Sequence, residues 1–219
     1  MNHPFERKNI RGERLAEFLQ AIGAQGLGEK ELFFLCIGTD RSSGDAFGPL
    51  VGTLLREAGY RQVAGTLEQP CDADTLEHYL QQIPDDKIVI ALDACLGRQS
   101  SSVGLFQVAT GPLEPGKSMG CSLPSVGHFS IAAIVNRNEG QPYRVLQTTS
   151  LHLVLRMAHQ LVEAVKEAFP LASSVVSPAK PARTFREADE TCGAAGTENL
   201  GDIASIDVIS IPRYIPGRR

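Results

Sequence analysis

LFFLCIGTDRSSGDAFGPLVGTLLREAG, residues 32–59, runs from an unbroken apolar hexad through a loop of glycine, hydroxyl and acidic residues into an amphipathic segment. The hexad LFFLCI (32–37) does not alternate. That is the pattern of a strand covered on both faces, and so of a parallel sheet. PLVGTLLREAG (49–59) then reads as a helix, with Pro49 suited to its first position and Gly59 to its end. Strand, short polar loop and helix in that order open a βαβ unit.

The rest of the chain repeats the alternation. ERLAEFLQAI (13–22) has helical periodicity, QVAGTLE (62–68) reads as a second strand, and DADTLEHYLQQI (72–83) as a helix opened by a capping aspartate. KIVIALD (87–93) is another buried strand, predicted to be central, and VGLFQVA (103–109) and SIAAIVN (130–136) are two more. A helix over about residues 149–169 carries Leu151, Val154, Leu155, Ala158, Leu161, Val162, Val165 and Phe169 as one stripe. The β-α-β-α-β start predicts an α/β fold. We expect a mostly parallel central sheet flanked by helices on both faces. Residues 1–29 read as an N-terminal helical lead-in, 30–169 as the α/β domain, and 170–219 as a low-order tail. Within that tail only IDVISI (206–211) has strand character.

Bulk properties narrow the function. With 219 residues and 42% hydrophobic content the chain can bury a real core. A net charge of -4 gives no electrostatic reason to expect nucleic acid or an anionic membrane as partner. No apolar run approaches the roughly 18 residues of a membrane span. MNHPFERKNIRGERL, at the start, lacks the apolar centre of a signal peptide. Cys36, Cys71, Cys95, Cys121 and Cys192 are odd in number and contain no C-x-x-C pair, against both a zinc site and a disulfide framework. The expected compartment is a reducing cytoplasm.

Ligands of an open parallel sheet bind beyond the carboxyl ends of its strands. Asp40 and Asp45 follow the first strand, Glu68 ends the second and Asp93 ends the third. The first loop lacks both the Lys-Ser/Thr of a P-loop and the G-x-G-x-x-G of a dinucleotide site, and its carboxylates would repel phosphate. Such acids suit acid/base work on water, or a divalent cation. Plainer roles exist: Asp45 as a cap of the helix near Pro49, Asp40 in an Asx-turn, and glycines 38, 44 and 48 in a tight turn. Cys95 reads as a small core residue rather than a nucleophile, and His152 and His159 as a solvated helix face. Ser42, Ser43, Ser125 and Ser130 show no nucleophile elbow.

Six segments occur in the order found in one family: CIGTDRSSGDAFGPLVGT (36–53), GTLEQP (65–70), IALDACLG (90–97), GPLEPG (111–116), LPSVG with SIAAIVN (123–127, 130–136), and LQTTSLHLVLRMA (146–158). Over about residues 30–168 the chain resembles the YyaC family, sporulation-associated proteins of endospore formers. That family is similar in turn to germination protease and, more distantly, to the hydrogenase maturation proteases. The resemblance implies an α/β three-layer sandwich of phosphorylase/hydrolase type and a peptidase-like site. The paired acids of germination protease fall on Asp45 and Asp93, and its acid after the second strand on Glu68. Asp40 stands where that protease has Asn, and His128 where an acid is expected after LP-x-V-G. The implied assignment is catalytic for Asp45, Asp93 and Glu68, and substrate-binding for Asp40, Gly44 and His128.

Two carboxyl groups within hydrogen-bond reach cannot both ionise readily, so one would hold a proton while the other acts as base on water. No cofactor is needed for that chemistry. The alternative is a divalent cation on Asp45 and Asp93, completed by Glu68 or His128. A protein or peptide is the implied substrate, by analogy a small acid-soluble spore protein, in the cytoplasm of the sporulating cell or the spore interior. A non-catalytic binding protein that keeps the fold, or a small-molecule hydrolase, is the rival reading. Oligomeric state is left open.

Overall fold

The computed structural model describes residues 7–116 and 123–171. Cys121, Cys192 and the tail beyond residue 171, with IDVISI, lie outside the described residues. The elements are β1 (Arg7–Ile10), α1 (Leu15–Gly23), β2 (Leu32–Cys36), α2 (Phe47–Glu57), β3 (Val63–Ala64), α3 (Leu76–Gln82), β4 (Ile88–Gly97), β5 (Phe106–Ala109), β6 (Phe129–Arg137), α4 (Pro142–Gln147) and α5 (Leu151–Ala168). The six strands form one sheet in the order β1-β5-β6-β4-β2-β3. Strands β2, β3, β4 and β6 are parallel, and β5 runs against both of its neighbours. The α/β architecture expected from the sequence is the one observed.

Both faces of the sheet are apolar, which is why the strands do not alternate. In β2 and β4, Phe34, Cys36, Ile90 and Leu92 point to one face, into a core shared with α1, α2 and α5. Leu35, Val89 and Ala91 point to the other face, where Leu76 of α3, with Leu113, Leu123 and Val126, covers them. Phe18, Phe34, Phe47 and Phe106 are fully buried in the larger core, each contributing about 1.5–3 kcal/mol relative to exposure. Of the predicted stripe, Val154, Ala158, Leu161, Val162, Val165 and Phe169 pack into the core, whereas Leu155 is half-buried outside it and Met157 is buried in the core with them. Leu151, expected to head it, is 50% exposed, because it begins the helix a turn before the first buried position, Val154. No helix among the described residues is long and apolar enough to cross a membrane.

Several boundaries move, each for a local reason. Helix α2 begins at Phe47, so Pro49 occupies its third position rather than its first. That is tolerated because the first four helical N–H groups have no intrahelical acceptor. The predicted strand 62–68 stops at Ala64, since Gly65 takes φ +83 and a Cβ there would lie 1.8 Å from the Cys36 carbonyl oxygen. Helix α3 begins at Leu76; Asp72 instead organises the turn before it, its Oδ1 accepting from the Asp74 and Thr75 amides. Strand β4 continues four residues beyond Asp93, paired with β6. Residues 7–29, read as a helical lead-in, supply the edge strand β1 as well as α1. Leu15, Phe18, Leu19 and Ile22 of α1 belong to the main core.

Candidate active site

Strand β2 ends where its neighbour does not. Its last link to β4 is the Ile37 amide donating to the Leu92 carbonyl at 2.7 Å, and the chain then turns away as the Gly38 amide donates to Cys71 O. Gly38 holds φ +141, and a Cβ there would sit 2.1 Å from the Asp45 carbonyl oxygen. Glycine therefore lets the loop close on itself and sets Asp45 over the end of the sheet.

The loop is tied down from the far side. The Gly44 amide donates to Leu146 O at 2.9 Å, and Ser43 Oγ donates to Thr149 O at 2.7 Å. Asn136 of β6 donates to Thr149 Oγ1 at 3.1 Å, and Thr149 Oγ1 donates to Val145 O at 2.8 Å. These bonds join the RSSGDAF and LQTTS segments to the end of β6. Gly44 serves this packing: a Cβ would stand 2.8 Å from Leu146 Cδ2 and 3.0 Å from its carbonyl oxygen. It does not line the cavity described next.

Between loop and sheet end lies a cavity of about 110 Å³, whose lining includes Ile37, Thr39, Asp45, Asp72, Asp93 and Leu146. Asp45 is half-buried, and its carboxyl forms no hydrogen bond or ion pair with the described residues. It does not cap α2, which starts without a side-chain cap. Asp93 stands one residue past the last β2 pairing, on the face of β4 shared with Val89 and Ala91. Its Oδ1 accepts from the Ala94 amide at 2.7 Å.

Electrostatics separates the two acids. Burial raises Asp45 to about 6. Asp93 is raised to about 8 by burial and by the charge of Asp45, against the pull of the Ala94 hydrogen bond. Burial and mutual repulsion thus both disfavour ionising the two acids together, and their protons belong to the coupled pair. Burial, then the charge of Asp93, pushes the Cys95 thiol up to about 12, so it is no thiolate nucleophile.

The other expected residues are elsewhere. Glu68 and Asp40 are exposed and do not line the cavity. Glu68 fails to reach it because the second strand ends at Ala64 and the chain turns away at Gly65, with the Thr66 amide donating to Gln69 O. His128 lies toward the opposite, amino-terminal end of β4. Its Nδ1 accepts from the Val89 amide at 2.9 Å, while its own amide donates to Val89 O at 2.8 Å. Four residues of strand separate Val89 from Asp93, about 13 Å at ~3.3 Å per residue. The imidazole thus replaces a ladder carbonyl and is lowered in pKa by burial. His152 and His159 are exposed on α5, as expected.

A cation set of Asp45 and Asp93 completed by Glu68 or His128 is not assembled. No group of three or more His, Cys, Asp or Glu among the described residues is placed to hold a metal ion. Sequence reasoning missed Asp72 as a cavity residue. Its Oδ2 lies 3.5 Å from Nη2 of the exposed Arg41, which does not itself line the cavity. Local pattern signals only its turn; the bridge pairing Ile37 with Cys71, a tertiary contact, brings it there.

A family model described as "Protein of unknown function (DUF1256)" matches residues 5–164. The uncharacterized protein YyaC of Bacillus subtilis (strain 168) is 44% identical over 141 residues, covering 62% of this chain and 68% of YyaC. Among solved structures, the [NiFe] hydrogenase maturation protease HycI from Thermococcus kodakarensis KOD1 matches with a TM-score of 0.37 and 18% identity, over 62% of this chain and 92% of that one.

Proposed function

The chain belongs to the DUF1256 family, and on that premise we propose that it is a sporulation-associated peptidase working through the Asp45–Asp93 pair. The observation that carries this reading is the meeting of two raised carboxyl groups in one cavity at the carboxyl end of a parallel sheet.

Asp45, ionised, removes a proton from water, and the hydroxide adds to the peptide carbonyl carbon while Asp93 gives its proton to the carbonyl oxygen. Asp45 then returns its proton to the departing nitrogen. Asp93 takes one from a hydroxyl of the adduct as the C–N bond breaks. Acid and amine leave, and both carboxyl groups regain their starting states. The substrate class is a polypeptide, with small acid-soluble spore proteins the first candidates. Glu68 and His128 have no part in this scheme.

One observation favours a second reading. About 110 Å³ is below the roughly 300–1,000 Å³ of ordinary ligand pockets. A binding module that keeps the fold, gripping one small group between Asp45 and Asp93, would suit such a cavity.

The discriminating experiment incubates the purified full chain with spore protein extract and identifies new peptide termini by mass spectrometry. Termini that appear with the native chain and are missing with Asp93→Asn support the peptidase. Identical fragments from both proteins, or none from either, reject it.

A further inference from the structure

The open edge of β3 carries a second cavity, of about 250 Å³, walled by Phe33, Arg56, Arg61, Thr66, Gln69 and Tyr79 among others. It shares no lining residue with the Asp45–Asp93 cavity. Its charge runs against that of the chain as a whole. Asp and Glu total 25 against 21 Lys and Arg, yet among the described residues no carboxylate lines this cavity and two guanidinium groups do.

Neither guanidinium is neutralised by a described residue. Arg56, in the last turn of α2, donates from Nη2 to the Val63 carbonyl at 2.7 Å. That bond covers an exposed strand edge and fixes the guanidinium in place, but leaves its charge uncompensated. Arg61 forms no hydrogen bond or ion pair with the described residues. Two like charges brought to one concavity repel unless an anion lies between them. Neutral polar groups complete the wall. Tyr79 donates its hydroxyl to Gln69 O at 3.1 Å, and Thr66 Oγ1 accepts from the Gln69 amide at 3.1 Å.

We propose that this cavity binds a small oxyanion, phosphate or carboxylate, clasped between Arg56 and Arg61. Guanidinium presents paired N–H donors that match the spacing of two oxygens on either group. The volume leaves room for a modest organic body beside Phe33 and Tyr79. This site is independent of the Asp45–Asp93 chemistry and stands whether or not that pair is catalytic.

The test titrates the ¹⁵N-labelled full chain with inorganic phosphate and, separately, with succinate. Ionic strength is held constant so that screening does not imitate binding. Saturable shifts are expected at the amides of Arg56, Arg61, Gly65 and Thr66. Arg61→Gln, which removes no described contact, is expected to weaken them by about tenfold or more, the loss of a charge-assisted hydrogen bond. Saturation by phosphate alone identifies a phosphate-bearing ligand, and by succinate alone a carboxylate; both outcomes uphold the site. No saturable shift with either probe, or undiminished binding by Arg61→Gln, overturns it.

Discussion

Asp45 and Asp93 reach one cavity from opposite sides of the point where β2 leaves the sheet, Asp45 from the loop that follows β2 and Asp93 from the strand that continues beside it. Neither is a strand-end residue in the simple sense. Asp93 is accessible because its neighbour strand has gone, and Asp45 because Gly38 folds the departing loop back.

Asp45→Asn and Asp93→Asn are nearly isosteric and should leave the fold standing. Each is expected to lower peptide hydrolysis by about 10²–10⁴, the effect of losing a general acid or base. The pair acts as a unit, so the double variant should be scarcely slower than either single one. Single-turnover rates on one cleavable peptide give the comparison. Full activity in folded Asp93→Asn would remove the dyad from the mechanism.

Hydrolysis needs Asp45 ionised and Asp93 protonated. kcat/KM should therefore rise as pH climbs through about 6 and fall as it passes about 8. The two limbs belong to the coupled pair rather than to separate residues. A flat profile between pH 5 and 9 would contradict the assignment.

Stability follows the same groups with a definite sign. A carboxyl raised in the folded state binds more protons there than when unfolded. Its effect is therefore to weaken the fold as pH rises from the ordinary value of 3.8 to the raised one. Replacing Asp93 by Asn removes this penalty. The variant's melting temperature should exceed that of the native chain at pH 9 and converge with it near pH 4. Thermal melts across that range would reveal the opposite trend if Asp93 were stabilised as an anion.

His128 predicts the reverse dependence. Its pKa is lowered by burial, and protonating Nδ1 turns the acceptor of the Val89 amide into a donor. The contribution is complete above the unfolded value near 6.5 and is lost as pH falls from there toward the lowered folded value. His128→Ala should lose about 1–3 kcal/mol at pH 8, the cost of an amide left without its acceptor. It should show less acid sensitivity than the native chain below pH 6. Its activity per folded molecule should be unchanged, and a specific loss of kcat would return His128 to the site.

Gly44→Ala places a methyl group 2.8 Å from Leu146 Cδ2 and 3.0 Å from Leu146 O. Overpacking of this kind typically costs about 1–3 kcal/mol. Because the Gly44 amide bond to Leu146 anchors the Asp45 loop, activity should fall along with stability. Denaturant unfolding with parallel assays checks both, and a variant of native stability and rate would show that the loop is not held there.

The α/β class, the buried strands and the long helix follow from the sequence alone, because apolar periodicity records which faces of an element are covered. LFFLCI and KIVIAL have no polar face to show, and α5 carries a single stripe. Local chemistry also singled out Asp45 and Asp93 as candidates. Only the tertiary structure decided which of the accompanying acids share their cavity. Glu68 was lost to a backbone turn at Gly65, and Asp72 was gained through the pairing of Ile37 with Cys71. His128 was claimed by the ladder of β4, some four residues from the site along the strand. Each outcome depends on contacts between segments distant in sequence, and on φ angles that glycine permits without dictating. Residue type sets what a side chain can do, whereas the place where a neighbouring strand ends sets whether it can do it.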